Sequence, residues 1–397
     1  MPDMTTTGVV VSGGAKLTNE TDTSVPTYAI TEGSSTVTEG NSVSFTVATT
    51  NVADSTTLYW TVANYPPRET ADFTATSGSF TVNSNSGSFS VAIANDGTSE
   101  GDETFRIDVR TGSITGPVMA TSATVTISDA AWDPSTDITA LGWVDASDSS
   151  NYTRTGTTLT GVTDKSGTYT MSVGNTPVTN STTLNGLNVF EFDGNGEYLK
   201  SDSYEAVVSS GNHWAIGVFR YDGVDNNKDS FWSFETNQSP KRDYAVSSSA
   251  SNNTWPGELD LDGLSSNRIS STIGNSLNWT GLGGLNINQW YIVACYFNKS
   301  GNQIGMRFDG RTNTFSPVND YDNSLSTNQE LRLMRNRSGV HLNGRMAEFM
   351  AVADLPGTGG TDMSTIEKAE GYLAHKWGRT SALPSDHPYK TTAPTGS

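Results

Sequence analysis

Apolar and polar residues alternate with period two through most of the first third of this chain, and few folds tolerate that pattern. Val43, Phe45 and Val47 alternate with polar neighbours, as do Leu58, Trp60 and Val62, then Phe80 and Val82. Phe89, Val91 and Ile93 follow, then Phe105, Ile107 and Val109, and Ala123, Val125 and Ile127 close the series. A period of two places every second side chain on one face of an extended strand, so each run reads as a half-buried strand. Polar or glycine-containing turns such as Asn85-Ser86-Gly87 and Asn95-Asp96-Gly97 separate the runs. About seven such strands in roughly 100 residues describe an immunoglobulin-like sandwich over residues 27–130.

The rest of the 397 residues is organised differently. Residues 1–26 form a Thr/Gly-rich arm whose one apolar run is Val9-Val10-Val11. So little apolar surface cannot support a fold alone. The arm is expected either to be ordered by an assembly partner through strand addition or to pack on its own domain. Residues 131–138, AWDPSTDI, read as a linker, and residues 391–397 as a tail. Between them, over 139–390, lie long strand-like runs: HWAIGVFRY, QWYIVACYF, QIGMRFDG and GRMAEFMAVAD. Spread over about 250 residues, they call for a large antiparallel sandwich. One helix is predicted near the end. Ser364 and Glu367 have capping-box spacing, Ile366, Ala369 and Leu373 recur at helical spacing, Gly378 ends the pattern and Pro384 follows.

Charge and composition narrow the function. Hydrophobic residues make up 34% and charged residues 16% of the chain, a balance suited to all-β sandwiches with polar turns. The net charge of −19 argues against nucleic acid, whose phosphates need clustered Lys and Arg. Residues 1–130 carry −10 of it and are about twice as acidic per residue as the remainder, which suits cation binding or solubility. No run approaches the roughly 18 apolar residues of a membrane span. The single cysteine, Cys295, sits in an apolar strand and reads as a core residue, and the lack of disulfides suits folding in a reducing cytoplasm. Residues 1–30 show no signal-peptide pattern. That combination favours a surface protein assembled inside the cell into a particle released by lysis.

Two resemblances follow from ordered motifs. Glu39-Gly40, Thr70-Ala71-Asp72-Phe73, Ser77-Gly78-Ser79-Phe80, Asn95-Asp96-Gly97 and Glu100-Gly101-Asp102-Glu103-Thr104-Phe105 resemble a Calx-beta domain. That family often binds calcium at one end of the sandwich. The resemblance implies Glu39, Asp72, Asp96, Glu100 and Asp129 as ligands, hard oxygen donors of the kind Ca²⁺ requires. Calcium-binding members carry runs of consecutive Asp where Asn95-Asp96 and Ser128-Asp129 keep one each, so an acidic edge whose carboxylates cap turns is the alternative. In the second half, Trp143-Val144-Asp145-Ala146-Ser147-Asp148, Asp164-Lys165-Ser166-Gly167, Leu184-Asn185-Gly186 and Val189 to Gly194 form one ordered set. With IEKAEGYLAHKWGRTSALPSDHPYK at the end, it resembles the concanavalin-like, laminin-G-like jelly rolls of phage and marine bacterial surface proteins. The fold expected is all-β: a Calx-beta-like sandwich, then a larger jelly roll with one short C-terminal helix.

Sites of chemistry are sparse. Retaining glycosidases on concanavalin-like folds need carboxyls about 5–5.5 Å apart. Glu191-Phe192-Asp193, continuing through an apparent Gly194-Asn195-Gly196 hairpin turn to Glu197, comes near that pattern, as does Glu258-Leu259-Asp260-Leu261-Asp262. Solvent-facing acids on an ordinary strand give the same sequence, and fold analogy establishes no site. His213, His341, His375 and His387 show no metal-ligand spacing. Arg332, Arg335, Arg337 and Arg345 read as a charged edge strand or a surface for an acidic partner. Trp232, Trp255 and Trp279 lie in polar context and are candidates for stacking on sugar rings, or else core residues. The loop Asp222–Asp229 fits no defined calcium loop.

The expectation drawn from all this is a non-enzymatic virion surface protein of a tailed phage, a head decoration or fibre-like component. It would belong to an oligomeric assembly, with residues 1–26 anchoring it to other virion proteins. The jelly roll would face outward, toward host glycans. A receptor-binding lectin and, more remotely, a polysaccharide depolymerase are the alternatives.

Overall fold

The computed structural model describes residues 25–63, 72–95, 101–167, 169–201, 212–223, 230–236, 244–248, 259–263, 288–298, 303–315, 329–335, 341–354 and 363–396. All but the last two residues of the arm lie outside that set. The chain divides into two compact units, Met1–Asp96 with Glu100–Asp129, and Gly97–Ser99 with Ala130–Ser397.

Unit 1 holds nine described strands. They are β1 (Thr27–Glu32), β2 (Thr36–Thr38), β3 (Ser42–Thr50), β4 (Thr56–Ala63), β5 (Ser77–Val82), β6 (Ser86–Ala92), β7 (Glu103–Thr111), β8 (Val118–Thr121) and β9 (Val125–Ser128). One sheet runs β1-β3-β6; the other runs β2-β9-β7-β4-β5, with β8 on β7. The alternating residues meet between the sheets. Phe45, Val47, Leu58, Val82, Phe105, Ile107, Val109 and Val125 are essentially inaccessible, and Phe89 stacks on Trp60 with ring centroids 5.2 Å apart. Asn83 and Ser86 pair across Ser84 and Asn85, both at positive φ, in a tight turn that carries the chain from one sheet to the other. One expected strand position fails. Ala123 lies before β9 and is exposed, while Ser122 is buried and its Oγ accepts from the Ile107 amide at 2.9 Å.

Unit 2 is built on a single sixteen-stranded sheet among the described residues. Its strands are β10 (Ala140–Asp145), β11 (Tyr152–Thr155), β12 (Thr158–Thr163), β13 (Thr170–Gly174), β14 (Val178–Leu184), β15 (Leu187–Asp193), β16 (Tyr198–Ser201) and β17 (Asn212–Tyr221). Then come β18 (Ser230–Thr236), β19 (Tyr244–Ser248), β20 (Leu259–Gly263), β21 (Gln289–Asn298), β22 (Gln303–Phe308), β23 (Arg311–Phe315), β24 (Gln329–Leu333) and β25 (Asn343–Val352). A short helix α1 (Pro134–Asp137) precedes them and α2 (Ser364–Lys376) follows.

The middle strands β25, β17 and β21 explain the unbroken apolar runs. Along β17, Ala215, Phe219 and Tyr221 enter one core cluster, while Trp214, Ile216 and Val218 enter another on the opposite face. Along β21, Tyr291, Val293 and Cys295 take the first cluster and Trp290, Ile292, Ala294 and Tyr296 the second. A strand covered on both faces needs apolar residues at every position, so its sequence loses the two-residue period. The second cluster is closed by α2 through Ile366, Ala369, Leu373 and Ala374, so the helical spacing in the sequence marks a buried face.

Two expectations are corrected here. Ser364 and Glu367 form no capping box: Met363 holds the cap position without a side-chain cap bond, and Glu367 turns to Arg307 instead. Residues 131–138, read as a linker, are part of unit 2. Trp132 is buried in the second cluster, its amide donates to Pro394 O at 3.0 Å, and Ala131 bridges to Thr395 in the segment read as a tail.

Candidate functional site

The acidic end of unit 1 is assembled by backbone pairing. The parallel pairing of β2 with β9 sets Thr38 opposite Ser128, so Glu39 and Asp129 follow side by side in the chain path, and the Glu39 amide donates to Ser128 O at 3.0 Å. The Gly40 amide donates to Ile93 O at 3.1 Å, and the Ala94 amide to Asp72 O at 2.8 Å. Glu39, Asp72 and Asp129 are thus tied to adjoining strand ends, with Glu39 and Asp72 buried. Asp129 accepts from the Gly101 amide at 3.2 Å, a bond that ties the end of β9 to the segment leading into β7. Asp96 and Glu100 lie outside the described residues. Among the described residues no three Asp, Glu, His or Cys side chains stand together as a cation's ligands. The described carboxylates alone therefore do not make a calcium site, and Asp96 or Glu100 would have to complete one.

The sugar-stacking candidates fare differently. Trp232 is fully buried, its ring 5.6 Å from Phe219 and 5.5 Å from Phe349, so it is a core residue and presents no face to a ligand. The polar residues beside it in β18, Ser230 and Ser233, are buried as well. Trp255 and Trp279 lie outside the described residues. All described tryptophans are at most 9% exposed, so none offers a stacking platform.

The carboxylate pairs also resolve into structure. Oε2 of Glu191 receives Nη2 and Nε of Arg345 at 2.7 and 2.9 Å, and Arg345 reaches Asp222 as well. Asp193 is exposed and caps the Asn195 amide at 2.7 Å. The Gly194-Asn195-Gly196 turn joins no hairpin: β15 lies between β14 and β25, and β16 between β13 and β24. Glu197, beyond the turn, is buried; burial, with the Asp193 charge adding to it, pushes its carboxyl up to about 7. Of the second pair, Glu258 lies outside the described residues, and Asp260 and Asp262 sit on β20 at the end of the sheet order. The arginine cluster is likewise committed to local partners. Arg332 pairs with Glu330 at 2.6 Å and the Arg335 guanidinium lies 4.5 Å from the centre of the Tyr198 ring, while Arg337 is outside the described residues. Of the loop Asp222–Asp229, Asp222 is described and is held by Arg220 and Arg345.

Two buried ionic networks escaped sequence reasoning. In the first, Glu348 on β25 is fully buried and holds four donors. Trp143 Nε1 reaches Oε1 at 2.8 Å and the Tyr372 hydroxyl reaches the same oxygen at 3.2 Å. Lys376 Nζ and Trp377 Nε1 reach Oε2 at 2.7 and 2.8 Å. Lys376 also meets Asp145 at 2.8 Å, and Lys165 meets both Asp145 and Asp148. Burial pushes Glu348 up, and the nearby Asp145 adds to it. Burial opposes the Asp145 charge too, but Lys376, Ser147 and Lys165 hold it below its ordinary value. In the second network, Arg307 makes a bidentate pair with Glu370, Nε to Oε1 at 2.7 Å and Nη2 to Oε2 at 2.8 Å, and His387 Nε2 lies 3.1 Å from Glu370 Oε2. The partners lie between 17 and 231 residues apart. The residues at the C-terminal end that carry the jelly-roll resemblance, Glu370, Lys376, Trp377 and His387, are the ones that fasten α2 and the closing segment to the sheet.

No family model and no curated protein matches this chain. Solved structures similar to it include domain 4 of AbnA, an extracellular arabinanase from Geobacillus stearothermophilus, in complex with arabinotriose (13% identity, TM-score 0.37, covering 54% of this chain and 92% of that one). A putative carbohydrate-binding protein from Bacteroides ovatus is similar at 12% identity and TM-score 0.32, over 86% of both chains. The apo Calx CBD1 domain is similar at 21% identity and TM-score 0.19, over 25% of this chain and 95% of that one. By their names these neighbours are carbohydrate-binding and Calx-type domains. At such identities and scores nothing about ligand or chemistry passes from them to this chain.

Proposed function

We propose that this chain is a non-enzymatic surface component of a particle, a tailed-phage virion, in which unit 2 is a rigid display body that contacts host glycans. The observation that supports it is the use made of acids in unit 2. Glu348, Glu370, Asp145 and Glu191, the buried or half-buried carboxylates from which a hydrolase would draw its acid and nucleophile, each hold a lysine or arginine that ties one element to another. Such networks fix a fold, and they hold these four carboxylates as ties between elements. The virion part rests on the resemblance of the two modules in tandem to phage surface proteins, with residues 1–26 as the anchor to other virion proteins. A calcium ion at the acidic end of unit 1 is part of the proposal, its ligands drawn from the set Glu39, Asp72, Asp96, Glu100 and Asp129 that the Calx-beta resemblance implies, with Asp96 and Glu100 needed to complete it.

Mass spectrometry of density-purified particles tests the location: the proposal expects peptides of this chain in stoichiometric amount. A second reading, a depolymerase using Glu191 and Asp193, is tested by polysaccharide cleavage before and after Glu191→Gln and Asp193→Asn; loss of a real activity in both variants would establish it.

A further inference from the structure

A cleft of about 310 Å³ opens in unit 2 where the closing segment meets the β22–β23 hairpin and the first turn of α2. Glu367, Pro384, Asp386, His387 and Pro388 of its lining belong to the C-terminal run that carries the jelly-roll resemblance. Gly310 lines it from the Asp309-Gly310 turn, whose residues are both at positive φ, the two-residue geometry that holds a hairpin tightly. Asp309 binds that turn to β21 twice, its amide donating to Ile292 O at 2.8 Å and its carboxylate accepting from the Ile292 amide at 2.9 Å. Pro384 and Pro388 form part of the wall, and Arg307 is pinned behind it by Glu370. The walls are therefore set before any ligand arrives, which lowers the ordering cost of binding.

The chemistry of the lining selects the ligand. It contains two arginines, Arg307 and Arg311, and two carboxylates, Glu367 and Asp386; Arg307 is already taken up by Glu370 and Glu367, which leaves Arg311 as the donor and Asp386 as the acceptor for a ligand. His387 is held in place, its Nδ1 3.2 Å from the Tyr389 amide nitrogen and its Nε2 3.1 Å from Glu370 Oε2. Among the described residues the only rings that line the cleft are those of Pro384, Pro388 and His387. A strong donor and a strong acceptor in a polar cleft suit a neutral ligand whose groups both donate and accept, and hydroxyl groups do both. The volume is at the small end of ligand sites, roughly 300–1,000 Å³, and so holds one ring and not an extended chain.

We propose that this cleft binds a single neutral sugar residue, a terminal or branch unit of a glycan, with Arg311 donating to and Asp386 accepting from neighbouring hydroxyls. This rests on the glycan contact proposed above and gives it a place and a specificity. Without an aromatic platform the affinity of one site is about millimolar, on the scale set by a dozen heavy atoms. Multivalent presentation raises it.

The test uses the full-length chain, clustered on beads, on an array bearing neutral, sialylated and sulfated glycans. The expected result is retention on neutral glycans, lost at least tenfold in Asp386→Ala and in Arg311→Gln at unchanged melting temperature. Asp386 is exposed, so its variant folds and decides the matter if Arg311→Gln does not. Neutral-glycan binding that survives Asp386→Ala overturns this site while leaving glycan contact standing. Binding confined to acidic glycans overturns the site's specificity, and no binding by the parent chain to any glycan overturns both.

Discussion

Lys376, the last residue of α2, places its Nζ 2.7 Å from Oε2 of Glu348 in the middle of β25. This pair joins the C-terminal helix to the centre of the unit 2 sheet. Glu348 is inaccessible to solvent, whereas Lys376 keeps 19% side-chain exposure. Removing the lysine leaves a buried carboxylate without its cation. Lys376→Met is expected to destabilise unit 2 by about 3–5 kcal/mol. Glu348→Gln is expected to lose about 2 kcal/mol although it is isosteric. Indole N–H groups face both oxygens, and an amide nitrogen can accept from neither. Urea unfolding of the full chain measures both, and a Glu348→Gln protein as stable as the parent would refute the four-donor arrangement.

Glu197 gives unit 2 a pH dependence of defined sign. Its folded-state carboxyl is pushed up to about 7 from an ordinary 4.5, chiefly by burial. Between those values the folded chain holds a proton that the unfolded chain has released, so stability falls as pH rises through that window. Glu197→Gln is expected to abolish this share of the slope. The measurement is the difference in urea midpoint between parent and variant at pH 5 and pH 8; an equal difference at the two values contradicts it.

Trp232 belongs to the core, and its substitution should act on stability. Trp232→Ala is expected to cost about 3–5 kcal/mol, in the range of large aromatic deletions from packed interiors. Trp232→Phe is expected to stay folded and to bind glycans as the parent does. Selective loss of glycan binding in the folded Phe variant would contradict the burial seen here.

At the acidic end of unit 1, calcium is expected to raise the melting temperature, by the amount set by free ion over dissociation constant. Asp72→Asn is expected to remove that rise. Magnesium, which demands a tighter octahedral set, is expected to give less. Equal melting curves with and without millimolar calcium would remove the ion from the proposal.

Much of the fold was legible because burial leaves a period in sequence. The alternation around Phe45, Trp60, Phe105 and Ile127 gave strands of unit 1, and Ile366, Ala369 and Leu373 gave the buried face of α2. Edge and short strands such as β1, β2 and β8 were not legible, because half-exposed positions carry little contrast. Ser364 mimicked a cap, since a capping box is a spacing and the bond depends on where the chain enters the helix. The site was less readable still. Glu348 meets Trp143 across 205 residues, and Arg307 meets Glu370 across 63; no local pattern marks pairs that only the sheet brings together. Trp232 was open to a stacking or a core reading, and sequence could not decide, because Ser230 and Ser233 beside it are polar yet buried with it and with Phe231.

The central claim is that this chain is a structural component displayed on a virion. Quantitative mass spectrometry of gradient-purified particles from lysates of the encoding host tests it most directly. The account predicts peptides spanning both units, co-migrating with the major capsid protein at a fixed stoichiometry. Their absence from particles, with the intact chain recovered only in the soluble fraction of the lysate, would contradict it.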